Sequence, residues 1–525
     1  MYMVENRDRA RVIFLWHMHQ PSYEPPDGGS AAMPWVRLHA TRAYLDLAWI
    51  FGQHPRVRMV VNFVPCLLDQ LEKAAAGATD AFRELSLKAP GELTQEEKRF
   101  MAIHFFSCRQ ETMIEPVPRY RELFLRREVI HAWFAQDLLD LQVHFNLAWM
   151  GPAARAAEPL LQQLQRQGRS FTAGQKEQLI ELQDGLCARI VPAWRKLAEQ
   201  GQIELTTTPY YHPILPLVID SEAALRCQPG ATLPQRFSWP DDARLHVVRA
   251  LERHEEIFGQ RPVGMWPAEG AVSPEAVSLL GEHGVRWLAT DEGILLRSLR
   301  PGMVREHVLY RPYRAPNGGP LLLFRDRDLS DRIGFTYGKE PTGRAVGDLV
   351  DRLRAAGEAS IQRQDHPPGG PVILVALDGE NPWDGYTDGG VDFLHQLCRA
   401  LEDDPVLTTV LPRELSASEA SELPRLHSGS WIDSSYRIWI GGAVENRAWT
   451  MLGQARRALA HAVNEGHPQA GAALEVLLPA EGSDWFWWFG DDFTTTQDML
   501  FDSLFRARLR KVYQLLQLSV PPELE

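Results

Sequence analysis

Seven short apolar runs, at about 11–17, 57–64, 203–208, 263–266, 286–290, 320–325 and 371–377, are separated by stretches with helical periodicity. Strands that alternate with helices are joined by crossovers and so run parallel; seven of them favour a barrel over an open sheet. The pattern predicts an α/β fold. Between these runs, 242–258 reads as an amphipathic helix entered at Trp239-Pro240-Asp241, and 273–283 as another. A weaker run at 407–411 is a candidate eighth strand, and closure of the barrel stays open on it.

The long gap between the second and third runs carries helical periodicity almost throughout, so residues 66–200 are expected to be a helical insertion over one barrel mouth. The pattern changes after Ser416. Helices near 446–466 and 494–518 flank the aromatic run Trp485-Phe486-Trp487-Trp488-Phe489, more a core feature than a sugar platform. This predicts a catalytic unit over 1–415 and a C-terminal α-helical domain over 416–525. The Pro- and Gly-rich stretch 364–370 reads as a loop before the seventh strand, not a linker.

Two acidic clusters sit where apolar runs give way to loops: Gly264-Met265-Trp266-Pro267-Ala268-Glu269 and Leu377-Asp378-Gly379-Glu380-Asn381. Strand ends in barrels are rigid and open to solvent, which is why catalytic groups are placed there. A pair of carboxylates with Trp266, Trp383 and Tyr386 nearby suggests chemistry on a sugar, since aromatic faces stack on sugar rings and two carboxyls can flank one glycosidic bond. Strand alternation puts Asp378 and Glu380 on one face, so spacing alone does not choose between them. Asp291 and Glu292 form a third acidic strand end, read as structural support or sugar binding. His17 and His19 also share a face after the first run and could begin a metal site, as in zinc-dependent glycosidases and deacetylases. No third or fourth ligand is spaced to join them. No metal and no cofactor are therefore expected.

A net charge of −13 argues against nucleic acid and anionic membranes as partners. The five cysteines (Cys66, Cys108, Cys187, Cys227, Cys398) are scattered, without a CxxC pair, so neither a disulfide framework nor a thiolate zinc site is indicated. Residues 1–11 are polar and no stretch approaches roughly 20 apolar residues, so neither a signal peptide nor a membrane span is expected and the reading is cytoplasmic. The oligomeric state is not legible.

Five segments in order resemble the motifs of glycoside hydrolase family 57, in its amylopullulanase-like, α-amylase-like branch. They are His17-Met18-His19-Gln20-Pro21; Gly201-Gln202-Ile203-Glu204-Leu205 running on to Tyr210-Tyr211-His212-Pro213; Trp266-Pro267-Ala268-Glu269; Leu377-Asp378-Gly379-Glu380-Asn381-Pro382-Trp383; and Trp439-Ile440-Gly441 with Glu445-Asn446-Arg447-Ala448-Trp449. The resemblance implies an incomplete (β/α)7 barrel followed by a helical domain. It implies Glu269 as nucleophile and selects Asp378 as acid/base, with His19, Gln20, Glu204, His212, Trp266, Glu380, Trp383 and Trp439 around the sugar. It further implies a retaining hydrolase of α-1,4-linked glucans such as glycogen, starch or maltodextrins, with α-1,6 branches left open. The same site would serve a 4-α-glucanotransferase or a branching enzyme; a metal-dependent hydrolase or deacetylase and a non-catalytic glucan binder are the competing classes.

Overall fold

The computed structural model describes residues 9–364, 366–490 and 497–525. The expectations for the first eight residues, for Asp365 and for the start of the helix at 494–496 lie outside these. Ten strands form one sheet: β1 (Ala10–Met18), β2 (Met59–Phe63), β3 (Ile203–Thr207), β4 (Gly264–Met265), β5 (Trp287–Asp291), β6 (Tyr313–Arg314), β7 (Leu321–Arg325), β8 (Val372–Asp378), β9 (Leu407–Thr409) and β10 (Ser421–Glu422). Seven of them, in the order β1-β2-β3-β4-β5-β7-β8, are parallel and close on themselves. These are the seven runs expected.

Closure is narrow. β7 and β8 share one register pair, Arg325 opposite Leu374. The seam is finished by side chains: Arg325 Nη1 donates to the Ala376 carbonyl at 3.0 Å, and the Ala376 N–H donates to Ser330 Oγ at 3.1 Å. The candidate eighth strand does not enter the wall. β9 pairs with β1 at Ala10–Val12, below the point where β2 begins to pair at Leu15, so it extends the lower half of an edge that β2 already occupies above. β6 runs antiparallel to β7 and carries β10 beside it, so sheet pairing continues past residue 415.

The barrel strands are buried on both faces, which accounts for their near-continuous apolar sequence. The interior holds Ile13, Leu15, Val60, Trp266, Trp287, Ala289, Leu323 and Leu374. In β4 Gly264 lies against Trp287: a Cβ there would fall 2.0 Å from the indole. Between β2 and β3 the chain is helical, from Pro65–Ala75 to Ile190–Glu199, with two apolar clusters of its own. A buried ion pair, Arg37 Nε to Asp80 at 2.8 Å, with Arg37 Nη1 donating to Asn146 and Gln183, ties these helices to the segment after β1. After β10 come Ala443–Asn464, Ala470–Leu477, Ser483–Phe489 and Asp498–Leu515. Arg456 reaches back to pair with Asp242, and His246 is hydrogen-bonded to Glu481, so buried polar groups are satisfied across this contact. Among the described residues no helix is long and apolar enough to cross a membrane.

Gly264→Ala is expected to destabilise the protein by about 1–3 kcal/mol, because the added methyl overpacks the barrel wall against Trp287. Chemical denaturation of the variant measures this; unchanged stability would mean that β4 does not need the close approach.

Candidate active site

The strand ends deliver the site. β1 ends in His17 and Met18 and runs into His19 and Gln20, β8 ends in Asp378, Glu269 follows β4, and His212 follows β3. They converge on a cavity of about 760 Å³, also lined by Trp266, Glu380, Trp431 and Asp484. The helical segment between β2 and β3 contributes Ser107, Arg109 and Trp149 to the lining.

Glu269 is held in a left-handed backbone conformation (φ +57°), as is His212 (φ +58°). Such a conformation in a non-glycine residue costs on the order of 1–3 kcal/mol, and residues of this kind collect at functional sites. Trp431 restrains Glu269 twice: its backbone N–H donates to the Glu269 carbonyl at 3.0 Å and its indole N–H to Glu269 Oε2 at 2.8 Å. Trp431 in turn meets Trp266 edge-to-face at 5.3 Å and lies under the Arg325 guanidinium at 4.8 Å. The residue that closes the barrel thus also seats the indole that holds Glu269.

Asp378 and Glu380 are separated by what binds them. Glu380 is buried and spoken for, accepting from the His19 N–H at 2.7 Å and from the Tyr44 hydroxyl at 2.5 Å. Asp378 faces the cavity with one side-chain donor, Asn381 Nδ2 at 3.1 Å. Burial and then the charge of Asp378 push Glu269 up to about 8; burial raises Asp378 as well, while Asn381, His19 and Arg325 oppose the rise. Two carboxyls that repel each other out of water share one proton near neutral pH. Taken singly, burial favours that proton on Glu269; the Trp431 indole favours the carboxylate there and hence the proton on Asp378.

The histidines form an uncharged relay. His17 Nδ1 meets Asn62 Oδ1 at 2.7 Å, and Asn62 Nδ2 donates to Thr206, which orients the amide. His17 therefore donates from Nδ1, accepts at Nε2 from His212 Nε2 at 3.1 Å, and leaves His212 Nδ1 to accept from Ser483 Oγ at 2.8 Å. Burial depresses His17 to about 3 and His212 well below its ordinary value, consistent with both being neutral. His19 pairs with Asp484 at 2.8 Å and its ring stacks on His212, centroids 3.8 Å apart and 18° from parallel. A different trio from the expected His17 and His19 comes together: one ligand atom from each of His19, His212 and Asp484 lies within 4.8 Å of the others. The stacking opposes a shared ion, since imidazole lone pairs lie in the ring plane and those of stacked rings run side by side.

Residues 13–424 match the family model described as glycosyl hydrolase family 57. The chain belongs to this family. Among solved structures it is similar to the family 57 branching enzyme of Thermococcus kodakaraensis (TM-score 0.61, 16% identity, covering 96% of this chain and 90% of that one). It is also similar to the α-amylase AmyC of Thermotoga maritima (TM-score 0.61, 14% identity, covering 97% and 93%). At these identities the likeness is one of fold. A sequence relative, α-amylase 1 of Dictyoglomus thermophilum, is 29% identical over 97 residues, which span 18% of this chain but only 11% of that relative.

Of the residues the family motifs single out, Glu269, Asp378, His19, Gln20, His212, Trp266 and Glu380 line the cavity. Three do not. Glu204 sits near the start of β3, toward the opposite end of the barrel, where its carboxylate accepts from Trp287 Nε1 at 2.8 Å and the Arg413 N–H at 3.0 Å. Trp383 is buried against Trp16 and Tyr386, its indole bonded to the Gly379 carbonyl. Trp439 is fully buried one ring behind the wall, 5.9 Å from Trp487. Asp291 and Glu292 are held by Arg325, Arg327 and Arg305, which fits structural support, one of the two roles read for them. The aromatic run divides: Trp485 and Phe486 are core, whereas Trp487 and Trp488 line the cavity. Trp35, Trp149, Trp431 and Asp484 were not anticipated, and nothing in their local sequence marks them.

If Glu269 and Asp378 act as the catalytic pair, the shared proton gives a bell-shaped kcat/KM profile whose alkaline limb lies near pH 8, where the pair loses its proton. Trp431→Phe should move the acidic limb upward, because the carboxylate at Glu269 loses a donor. A profile still rising above pH 9 would rule out the shared-proton account.

Proposed function

We propose that this protein is a retaining glycoside hydrolase of α-1,4-linked glucans such as glycogen, starch or maltodextrins, with α-1,6 branches open to the same site. The observation that carries the reading is the pairing of Glu269, restrained by Trp431, with Asp378, the one carboxyl of its loop left free to face the cavity. Glu269 attacks the anomeric carbon while Asp378 gives its proton to the departing glycosidic oxygen, forming a glucosyl ester on Glu269. Asp378, now ionised, takes a proton from water; the water oxygen attacks the anomeric carbon and the ester bond to Glu269 breaks. Two inversions give net retention. His19 and Gln20 offer polar groups to the sugar hydroxyls, and Trp266 and Trp431 form the aromatic side of the cleft.

Transfer to a second sugar, as by a 4-α-glucanotransferase or a branching enzyme, is the second reading. The Trp35–Trp149 pair, rings 5.6 Å apart and joined by His39, is a separate aromatic surface in the same cavity that could hold an acceptor in place of water. Chromatography of products from maltoheptaose separates the two: shorter chains alone mean hydrolysis, longer ones mean transfer.

Glu269→Gln and Asp378→Asn are each expected to lower kcat roughly a thousandfold or more with unchanged circular dichroism. Proton NMR of the first products should show the α-anomer, with the β-anomer growing only by mutarotation. An initial β-anomer would end the covalent reading. If Glu380→Gln proved inactive and Asp378→Asn active, the acid role would pass to Glu380.

Dialysis against EDTA should leave activity unchanged, given the stacked His19 and His212. Loss of turnover restored by zinc would overturn this and favour a metal-dependent hydrolase or deacetylase.

A further inference from the structure

A second cavity, of about 630 Å³, lies between the helical insertion and the loop after Asp378, and five arginines line it: Arg42, Arg119, Arg155, Arg166 and Arg169. Two are neutralised. Arg119 bonds Asp137 at 2.7 Å, Asp140 at 2.9 Å and Glu122 at 2.7 Å, and Arg42 pairs with Asp384 at 3.1 Å. The others are not. Arg155, at the base, donates to the Leu147 carbonyl at 3.1 Å and lies beside the Gln165 amide, and its guanidinium meets no carboxylate within ion-pair distance among the described residues. Arg166, on the exposed rim, donates only to the Gln162 carbonyl, and Arg169 comes no nearer than 3.9 Å to Glu122. The acidic groups facing the cavity are committed elsewhere: Glu122 to Arg119 and Arg126, and Asp388 to the Gly390 and Asp392 N–H groups. Asp46, behind the cavity, accepts from the Ala153 N–H.

Burial and the neighbouring Arg42 charge lower Arg155 to about 10, and the Asp46 charge opposes the fall. On a chain of net charge −13 this local excess of positive charge runs against the whole. Its volume falls within the range of small-molecule sites. Planar guanidiniums on a half-buried base and an exposed rim of one cavity match phosphate oxygens, which they bind through charge-assisted hydrogen bonds.

We infer that this cavity is a binding site for a small phosphate-bearing molecule, with Arg155 as its base and Arg166 and Arg169 as its rim. The site is distinct from the catalytic cavity but shares a wall with it: Arg42 and Thr112 line one side and hold Asp384, which lines the other, Thr112 Oγ1 donating to the Asp384 carbonyl at 2.8 Å.

Titration calorimetry on the full chain at low ionic strength, with inorganic phosphate and with glucose 6-phosphate, tests this without relying on the catalytic reading. One equivalent of at least one probe should bind. Arg155→Gln and Arg166→Glu should each weaken it roughly tenfold or more, while Arg226→Gln, in the distant exposed pair with Glu275, should not. Arg166 is exposed, so its variant remains informative if Arg155→Gln fails to fold. Equal affinity for both probes would identify the phosphate group alone as the ligand, and tighter binding of the ester an organic phosphate. Failure of both probes to bind, or binding unchanged in both variants, would overturn the assignment.

Discussion

The level at which the parallel strands end is the constraint on which the site depends. His17 on β1 stands opposite Asn62 on β2 and opposite Asp378 on β8, and Asn62 stands opposite Thr206 on β3. A shift of one residue in β1 would turn His17 away from the barrel mouth and break its bond to Asn62, because side chains alternate along a strand. That register is maintained at the narrow β7–β8 seam by Arg325, which also pairs with Asp291 and covers Trp431. Closing the barrel and holding Glu269 are thus tasks of one side chain acting through one indole.

Burial does the second part of the work. The floor of the cavity is made of groups that water would otherwise ionise: two raised carboxyls, Glu269 and Glu380, and two depressed imidazoles, His17 and His212. Each is kept in place by hydrogen bonds rather than by opposite charge. Neutral, fully bonded histidines can lie against a carboxylate without adding a cation that would lower its proton affinity. The hydrogen-bonded pair of His19 with Asp484 draws its acidic member from the helical segment after Glu481, so the barrel alone does not complete the site.

Much of the fold was legible. The seven barrel runs, the helical insertion and the later helices follow from period-two and helical patterns, which are local properties of sequence. Glu269, Asp378 and the His17 to Gln20 segment were legible too, because strand-end residues sit next to the strands that announce them. What misled was residue type. Trp383 and Trp439 belong to the hydrophobic packing whereas Trp487 and Trp488 line the cavity, and a tryptophan suits either setting equally well.

The sequence by itself determined the strand and helix pattern, the family motifs and the acidic strand ends, since each depends on neighbours a few positions away. Only the tertiary structure decided that β9 stays outside the wall, that Glu204 lies toward the far end of the barrel, and that Glu380 is bound by His19 and Tyr44 while Asp378, with the Asn381 amide as donor, faces the cavity. The same holds for Trp35, Trp149, Trp431 and Asp484, which stand far apart in the chain and meet at one cavity. Their approach is set by how helices pack over the barrel mouth, and packing depends on shape and burial summed over the whole molecule, which no short stretch of sequence carries.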